Sequence, residues 1–139
     1  MVSLVLVSHS KTVAEGLREM VAQVAGDSVH VAAAGGTADG RLGTNAEAVL
    51  DALRATLASD ADGVLVLLDL GSAWLSVELA LEELSDTDRA RVQVSEAPLV
   101  EGAVLAAVQA SVGASLADVA AAAAGAASMP KAPGGSCDA

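Results

Sequence analysis

Apolar residues along this chain alternate between two periods. Val2-Ser3-Leu4-Val5-Leu6-Val7 is a continuous β-favouring run, as expected of a strand covered on both faces. Val13, Leu17, Met20, Val21 and Val24 then recur at helical spacing and form one face. Thr12 with Glu15 three residues later matches a capping box, so the first helix is expected to start there and to close at Gly26-Asp27. Ser28 to Ala33 reads as a second, weaker strand, followed by a glycine-rich loop from Gly35 to Gly43. Thr44 and Glu47 repeat the capping pattern ahead of Val49, Leu50, Leu53 and Leu57.

After the turn Asp60-Ala61-Asp62-Gly63 comes the most hydrophobic stretch, Val64-Leu65-Val66-Leu67-Leu68, a predicted central strand ending at Asp69-Leu70-Gly71-Ser72. A third helix is expected to about Leu84, then a polar turn from Ser85 to Asp88. Arg91-Val92-Gln93-Val94 is short and alternating, as suits an edge strand. Pro98 suits the first turn of a fourth helix, and Ser115 with Asp118 the start of a fifth. From Gly125 onward periodicity stops, so residues 1–126 are expected to form one domain and 127–139 a flexible tail.

Strands alternating with helices predict an α/β domain: an open, doubly wound parallel sheet of about four strands, order 2-1-3-4, with helices on both faces. In such sheets ligands sit beyond the carboxyl ends of the strands, near the point where strand order reverses. Three segments fall on that edge: Ser8-His9-Ser10, Gly35 to Gly43, and Asp69 to Ser72.

Composition narrows the function classes. Apolar residues are 53% of the 139, enough for a core, yet Phe and Tyr are absent and Trp74 is the single aromatic residue. Stacking platforms for single-stranded nucleic acid are therefore missing. A formal charge of −11 also opposes phosphate-backbone binding. One cysteine, Cys137, can form neither an intrachain disulfide nor a cysteine-based zinc site, and with two histidines a dedicated transition-metal site is not expected. No apolar run approaches the roughly 20 residues of a membrane helix, and no signal sequence is apparent. A cytoplasmic protein is expected.

At the strand edge, His9 directly follows the first strand and precedes a helix start. An imidazole there can carry a phosphoryl group, because it is nucleophilic near neutral pH and a helix N-terminus supplies amide donors for phosphate oxygens. The plainer alternative is a solvated loop histidine. Asp69 ends the third strand and lies next to His9 if the order is 2-1-3-4. A carboxylate there would hold one ring nitrogen and leave the other as nucleophile; otherwise Asp69 serves a turn. Ser10, Gly36, Thr37, Gly71 and Ser72 are candidate phosphate-binding residues, the glycines by allowing close backbone approach. Neither a dinucleotide fingerprint nor a P-loop occurs. Arg41 is a solvated loop residue or a neutralising charge. Trp74 belongs to the core or to an interface near this edge. His30 is a surface or packed histidine, and Glu82-Glu83 a solvated helix face.

Leu4-Val5-Leu6-Val7-Ser8-His9-Ser10, Gly35-Gly36-Thr37 through Asp39-Gly40-Arg41-Leu42-Gly43-Thr44, and Leu68-Asp69-Leu70-Gly71-Ser72-Ala73 together resemble one family. It comprises DhaM, the phosphocarrier subunits of phosphoenolpyruvate-dependent dihydroxyacetone kinases, akin to the IIA domains of mannose-type phosphotransferase systems. Ala97 to Ala103 and Gln109-Ala110-Ser111 look like the family's C-terminal part, so the resemblance covers about residues 1–125. It implies that His9 accepts a phosphoryl group from phospho-HPr. The group then passes to ADP on the partner subunit DhaL, which phosphorylates dihydroxyacetone held on DhaK. It also implies a homodimer, with no cofactor bound by this chain itself. Asn45 stands where a small Ser is expected after Gly-Thr. The nearest rival is a IIA domain of a mannose-type sugar transporter, with the same chemistry and another acceptor. Against a flavodoxin-like module, this chain has only Trp74 where aromatics usually flank a flavin, and against a response-regulator-like domain it has Ser8-His9 where an acidic pair should follow the first strand. A pure interaction module is the remaining alternative.

Overall fold

The computed structural model describes residues 1–59 and 61–134; Asp60 of the expected turn and Cys137 lie outside them. Among these residues four strands, β1 (Val2–Ser8), β2 (Val31–Gly35), β3 (Gly63–Leu68) and β4 (Val92–Ser95), form one parallel sheet in the order β2-β1-β3-β4. Among the described residues six helices surround it: α1 (Lys11–Ala25), α2 (Ala46–Ala58), α3 (Trp74–Glu82), α4 (Asp86–Arg89), α5 (Leu99–Ser111) and α6 (Leu116–Gly125). The doubly wound architecture and strand order are those the sequence predicts.

The core divides by strand parity. Leu4, Leu6, Leu65 and Leu67 face one side, with Leu17 and Val21 of α1, Ala103, Ala106, Ala107 and Ala110 of α5, and Val119 and Ala123 of α6. Val5, Val7, Val64 and Val66 face the other, with Val49, Leu53 and Leu57 of α2 and Val77 of α3. The strand leucines thus meet the alanines of α5 and α6 beside Leu17 and Val21 of α1, and the strand valines meet the leucines of α2. This pairing fills a core without Phe or Tyr, since dense packing needs complementary volumes rather than large residues.

Several local expectations are corrected. The α1 cap is Ser10, whose hydroxyl accepts from the Val13 amide, so the helix begins before the Thr12–Glu15 pair. Asn45 rather than Thr44 caps α2, accepting from the Glu47 and Ala48 amides at 2.9 and 3.4 Å. The second strand starts at Val31, where pairing with Leu4 begins, and continues to Gly35 opposite Ser8. Helix α3 stops at Glu82, and the polar turn contains the short α4, capped by Ser85. The edge strand is displaced by one residue to Val92–Ser95. Of the expected tail, residues 135–139 lie outside the described residues; before them Ala126–Ser128 form a 3-10 turn with Ala126 buried, and Lys131 pairs with Glu101 of α5 at 3.0 Å. No helix among the described residues is long and apolar enough to cross a membrane.

Candidate functional site

Register creates the site. Val7 of β1 pairs with Leu68 of β3, so both chains leave the sheet side by side, and the Asp69 amide extends the ladder by donating to the Val7 carbonyl. His9 and Asp69, 60 residues apart in sequence, thereby meet: Nδ1 of His9 lies 2.9 Å from Oδ1 of Asp69. Both side chains are mostly covered, with 23% and 20% of their surface exposed.

Asp69 accepts hydrogen bonds on both oxygens. Oδ2 takes the Ser8 hydroxyl and the His9 amide, each at 2.9 Å, while Oδ1 takes the Leu70 amide at 2.7 Å as well as the ring. Partial burial works to raise the Asp69 pKa. The His9 amide, the His9 ring, the Ser8 hydroxyl and the Leu70 amide outweigh it and hold the carboxyl below its ordinary value. An ionised carboxylate only accepts, so the ring hydrogen belongs on Nδ1 and the lone pair on Nε2. Ser72 Oγ lies 2.8 Å from that nitrogen and is its donor.

Of the other candidates, Gly71 opens the 3-10 turn Gly71–Ala73 that leads into α3. Ser10 commits its hydroxyl oxygen to capping α1, and its amide donates to Ser8 Oγ at 3.0 Å. Gly36, at φ +77°, donates its amide to the Ser8 carbonyl. Thr37 turns inward on its own loop: its hydroxyl donates to Asp39 and accepts from the Arg41 amide, and no polar contact among the described residues joins it to the His9 ring. Arg41 is exposed and paired with Asp39 at 2.9 Å. The loop is nevertheless tied to the site, because the Gly43 amide donates to the His9 carbonyl at 2.9 Å.

Trp74 is not core. It is 42% exposed and borders a cavity of about 650 Å³ with Asp69, Leu70, Gly71, Glu96 and Pro98. His30 is exposed at the opposite end of the sheet, just before β2. Ser8, at the expected edge but without a role assigned from the sequence, is fully buried and donates its hydroxyl to Asp69. Its signal is a hydroxyl ending an otherwise apolar strand.

A family model described as the PTS system fructose IIA component, EIIA-man, matches residues 3–120. A protein of Listeria innocua named PEP-dependent dihydroxyacetone kinase 2, phosphoryl donor subunit DhaM, is 47% identical over 109 residues, covering 78% of this chain and 86% of that one. The chain belongs to the EIIA-man family, among the DhaM proteins. A DhaM of Escherichia coli is 44% identical over 84% of this chain, which spans 25% of that longer relative. Among solved structures, a protein of unknown function, EF1359, superposes with a TM-score of 0.79 at 36% identity, over 88% of this chain and 92% of that one. A phosphotransferase component EIIA from Streptococcus agalactiae shares the fold, with a TM-score of 0.64 at 19% identity over 88% and 89% of the two chains.

Proposed function

We propose that this DhaM chain is a cytoplasmic phosphohistidine carrier and the phosphoryl donor to a dihydroxyacetone kinase. Its donor is phospho-HPr; its acceptor is ADP held on DhaL, in complex with DhaK. The observation that carries this reading is the two-sided hold on His9, with Asp69 on Nδ1 and only a hydroxyl on Nε2. The Nε2 lone pair forms a bond to phosphorus as the phosphorus–nitrogen bond of the donor histidine breaks. In the second half, a β-phosphate oxygen of ADP bonds to the phosphorus, the bond to Nε2 breaks, and the lone pair returns to the ring. Asp69 stabilises the positive charge on the ring while it is phosphorylated. The Ser72 hydroxyl, with the amides of Gly71 and Ser72 at the head of the turn, provides donors for phosphoryl oxygens.

Such a site should be open and shallow, since a carrier that binds its phosphoryl group too firmly stops transfer. Intact-mass measurement after incubation with phosphoenolpyruvate, enzyme I and HPr tests the reading. The expected result is an acid-labile gain of one phosphoryl group in the native chain and none in His9→Ala. No gain with an HPr shown to be active would overturn it. Discharge by DhaL with ADP, rather than by a IIB domain, separates a dihydroxyacetone kinase subunit from a sugar-transporter IIA domain.

A further inference from the structure

We infer that Ser8 is a positioning residue for phosphoryl transfer, locking the Asp69 carboxylate in the orientation that keeps the His9 hydrogen on Nδ1. The inference deepens the phosphocarrier reading and rests on it.

Ser8 ends β1 with no exposed surface, and its hydroxyl works in both directions. Oγ accepts from the Ser10 amide at 3.0 Å and donates to Asp69 Oδ2 at 2.9 Å. A backbone amide can only donate, so the Ser10 contact steers the Ser8 hydrogen toward Asp69. With that bond made, each carboxylate oxygen holds two donors, which resists rotation about the carboxyl bond. Without it, Oδ2 keeps the His9 amide alone and the part-buried Ser10 amide loses its acceptor. The tautomer of a histidine follows the hydrogen bond on its other nitrogen, so a loosened Asp69 lets hydrogen reach Nε2 and removes the nucleophilic lone pair.

The experiment compares the native chain, Ser8→Ala, Ser8→Thr and Asp69→Asn, with the double variant Ser8→Ala/Asp69→Asn. Ring nitrogen NMR at a pH where His9 is neutral reads the tautomer without any phosphoryl donor. Rapid-quench phosphorylation by phospho-HPr reads the rate. The native ring is expected as Nδ1–H. Ser8→Ala should show a mixture of tautomers and phosphorylation slower by about tenfold, the scale of losing one hydrogen bond to a charged group. Ser8→Thr, which keeps the hydroxyl, should restore the Nδ1–H form. In the Asp69→Asn background, Ser8→Ala should change the rate no further. A Ser8→Ala protein with the native tautomer and native rate, altered only in melting temperature, would overturn the inference. A native chain that takes no phosphoryl group would instead overturn the carrier reading, while the spectra still decide whether Ser8 orients the Asp69–His9 pair. Failure of Ser8→Ala to fold would leave Ser8→Thr as the deciding variant, and an Nε2–H ring in that folded protein counts against the role.

Discussion

Ser72 Oγ lies 2.8 Å from Nε2 of His9, on the one ring nitrogen that Asp69 leaves free. Because that nitrogen carries a lone pair, the hydroxyl donates to it and covers the nucleophile. An incoming phosphoryl group must displace the contact, after which the same hydroxyl is placed to donate to a phosphoryl oxygen. Ser72→Ala removes both effects, and the stronger bond to the charged phosphoryl group dominates. The equilibrium between phospho-HPr and the phosphorylated chain is expected to shift toward phospho-HPr by about tenfold. Mass spectrometry of equilibrium mixtures checks this; an unchanged ratio places the phosphoryl group away from Ser72.

Asp69 carries the pH dependence of the site. Its carboxyl is buried in part, yet the His9 amide and ring, the Ser8 hydroxyl and the Leu70 amide hold its folded pKa below the ordinary 3.8. The folded state therefore gains stability from ionised Asp69 above that value and loses it as pH falls through the folded pKa. Asp69→Asn should leave a flatter melting profile below about pH 4 than the native chain. At neutral pH it should slow phosphorylation by about a hundredfold or more, since orienting and charge-stabilising effects of this kind reach that size. Thermal melts from pH 3 to 7, run beside rapid-quench kinetics, read both. Parallel acid profiles for the two proteins would remove Asp69 from the linkage.

Gly35 sets how close the first helix comes to the sheet. A Cβ placed there would lie 2.6 Å from the Ser10 carbonyl oxygen and 2.9 Å from Lys11 Cα, and these are backbone atoms with little freedom to yield. Gly35→Ala should therefore push the start of α1 outward and cost about 1–3 kcal/mol. It should also slow phosphorylation, because His9 lies directly before that start. Gly16, in the middle of α1, is the control, since a methyl group there would meet nothing within 4 Å. Gly16→Ala should raise stability by up to about 1 kcal/mol through helix propensity and leave transfer unchanged. Chemical denaturation and the phosphorylation assay test the pair, and equal effects at both positions would refute the close-approach argument.

Gly35 also shows why parts of this architecture are legible in the sequence and others are not. The sheet order and the meeting of His9 with Asp69 follow from hydrophobic runs too strong to misread, Val2 to Val7 and Val64 to Leu68, and from the chemistry at their ends. The helix starts are ambiguous because neighbouring hydroxyl and amide residues compete for the cap. Thr12 with Glu15 and Thr44 with Glu47 satisfy the pattern, but close packing over Gly35 lets α1 start at Lys11, capped by Ser10. At α2, Asn45 lies one residue nearer the helix, leaving Thr44 to bond Ser76 at 2.6 Å. The second strand is hard to place because Val31-Ala32-Ala33-Ala34-Gly35 is nearly featureless and takes its register from β1. Ser8 is hidden for a related reason: strand periodicity marks which face a residue occupies, not the carboxylate waiting there from another strand.

Trp74 gives a direct optical test of where partners dock. It is the chain's only aromatic residue, half-exposed beside Asp69, Leu70 and Gly71, with Glu96 and Pro98 across the cavity. Leu70, 59% exposed, extends the apolar surface next to it. Phosphoryl transfer at Nε2 brings a partner over the His9–Ser72 contact and therefore over the turn that leads into Trp74. Covering a half-exposed indole moves it from water to an apolar surface, so its emission should shift to the blue on adding a tryptophan-free HPr. Trp74→Ala should weaken docking by about tenfold or more, the range found when a partly buried aromatic anchor is truncated, while leaving the His9 tautomer unchanged. Emission that stays constant at HPr concentrations which saturate the rate of phosphorylation would put the contact on the other side of His9, toward the Gly36–Gly43 loop and its exposed Leu42.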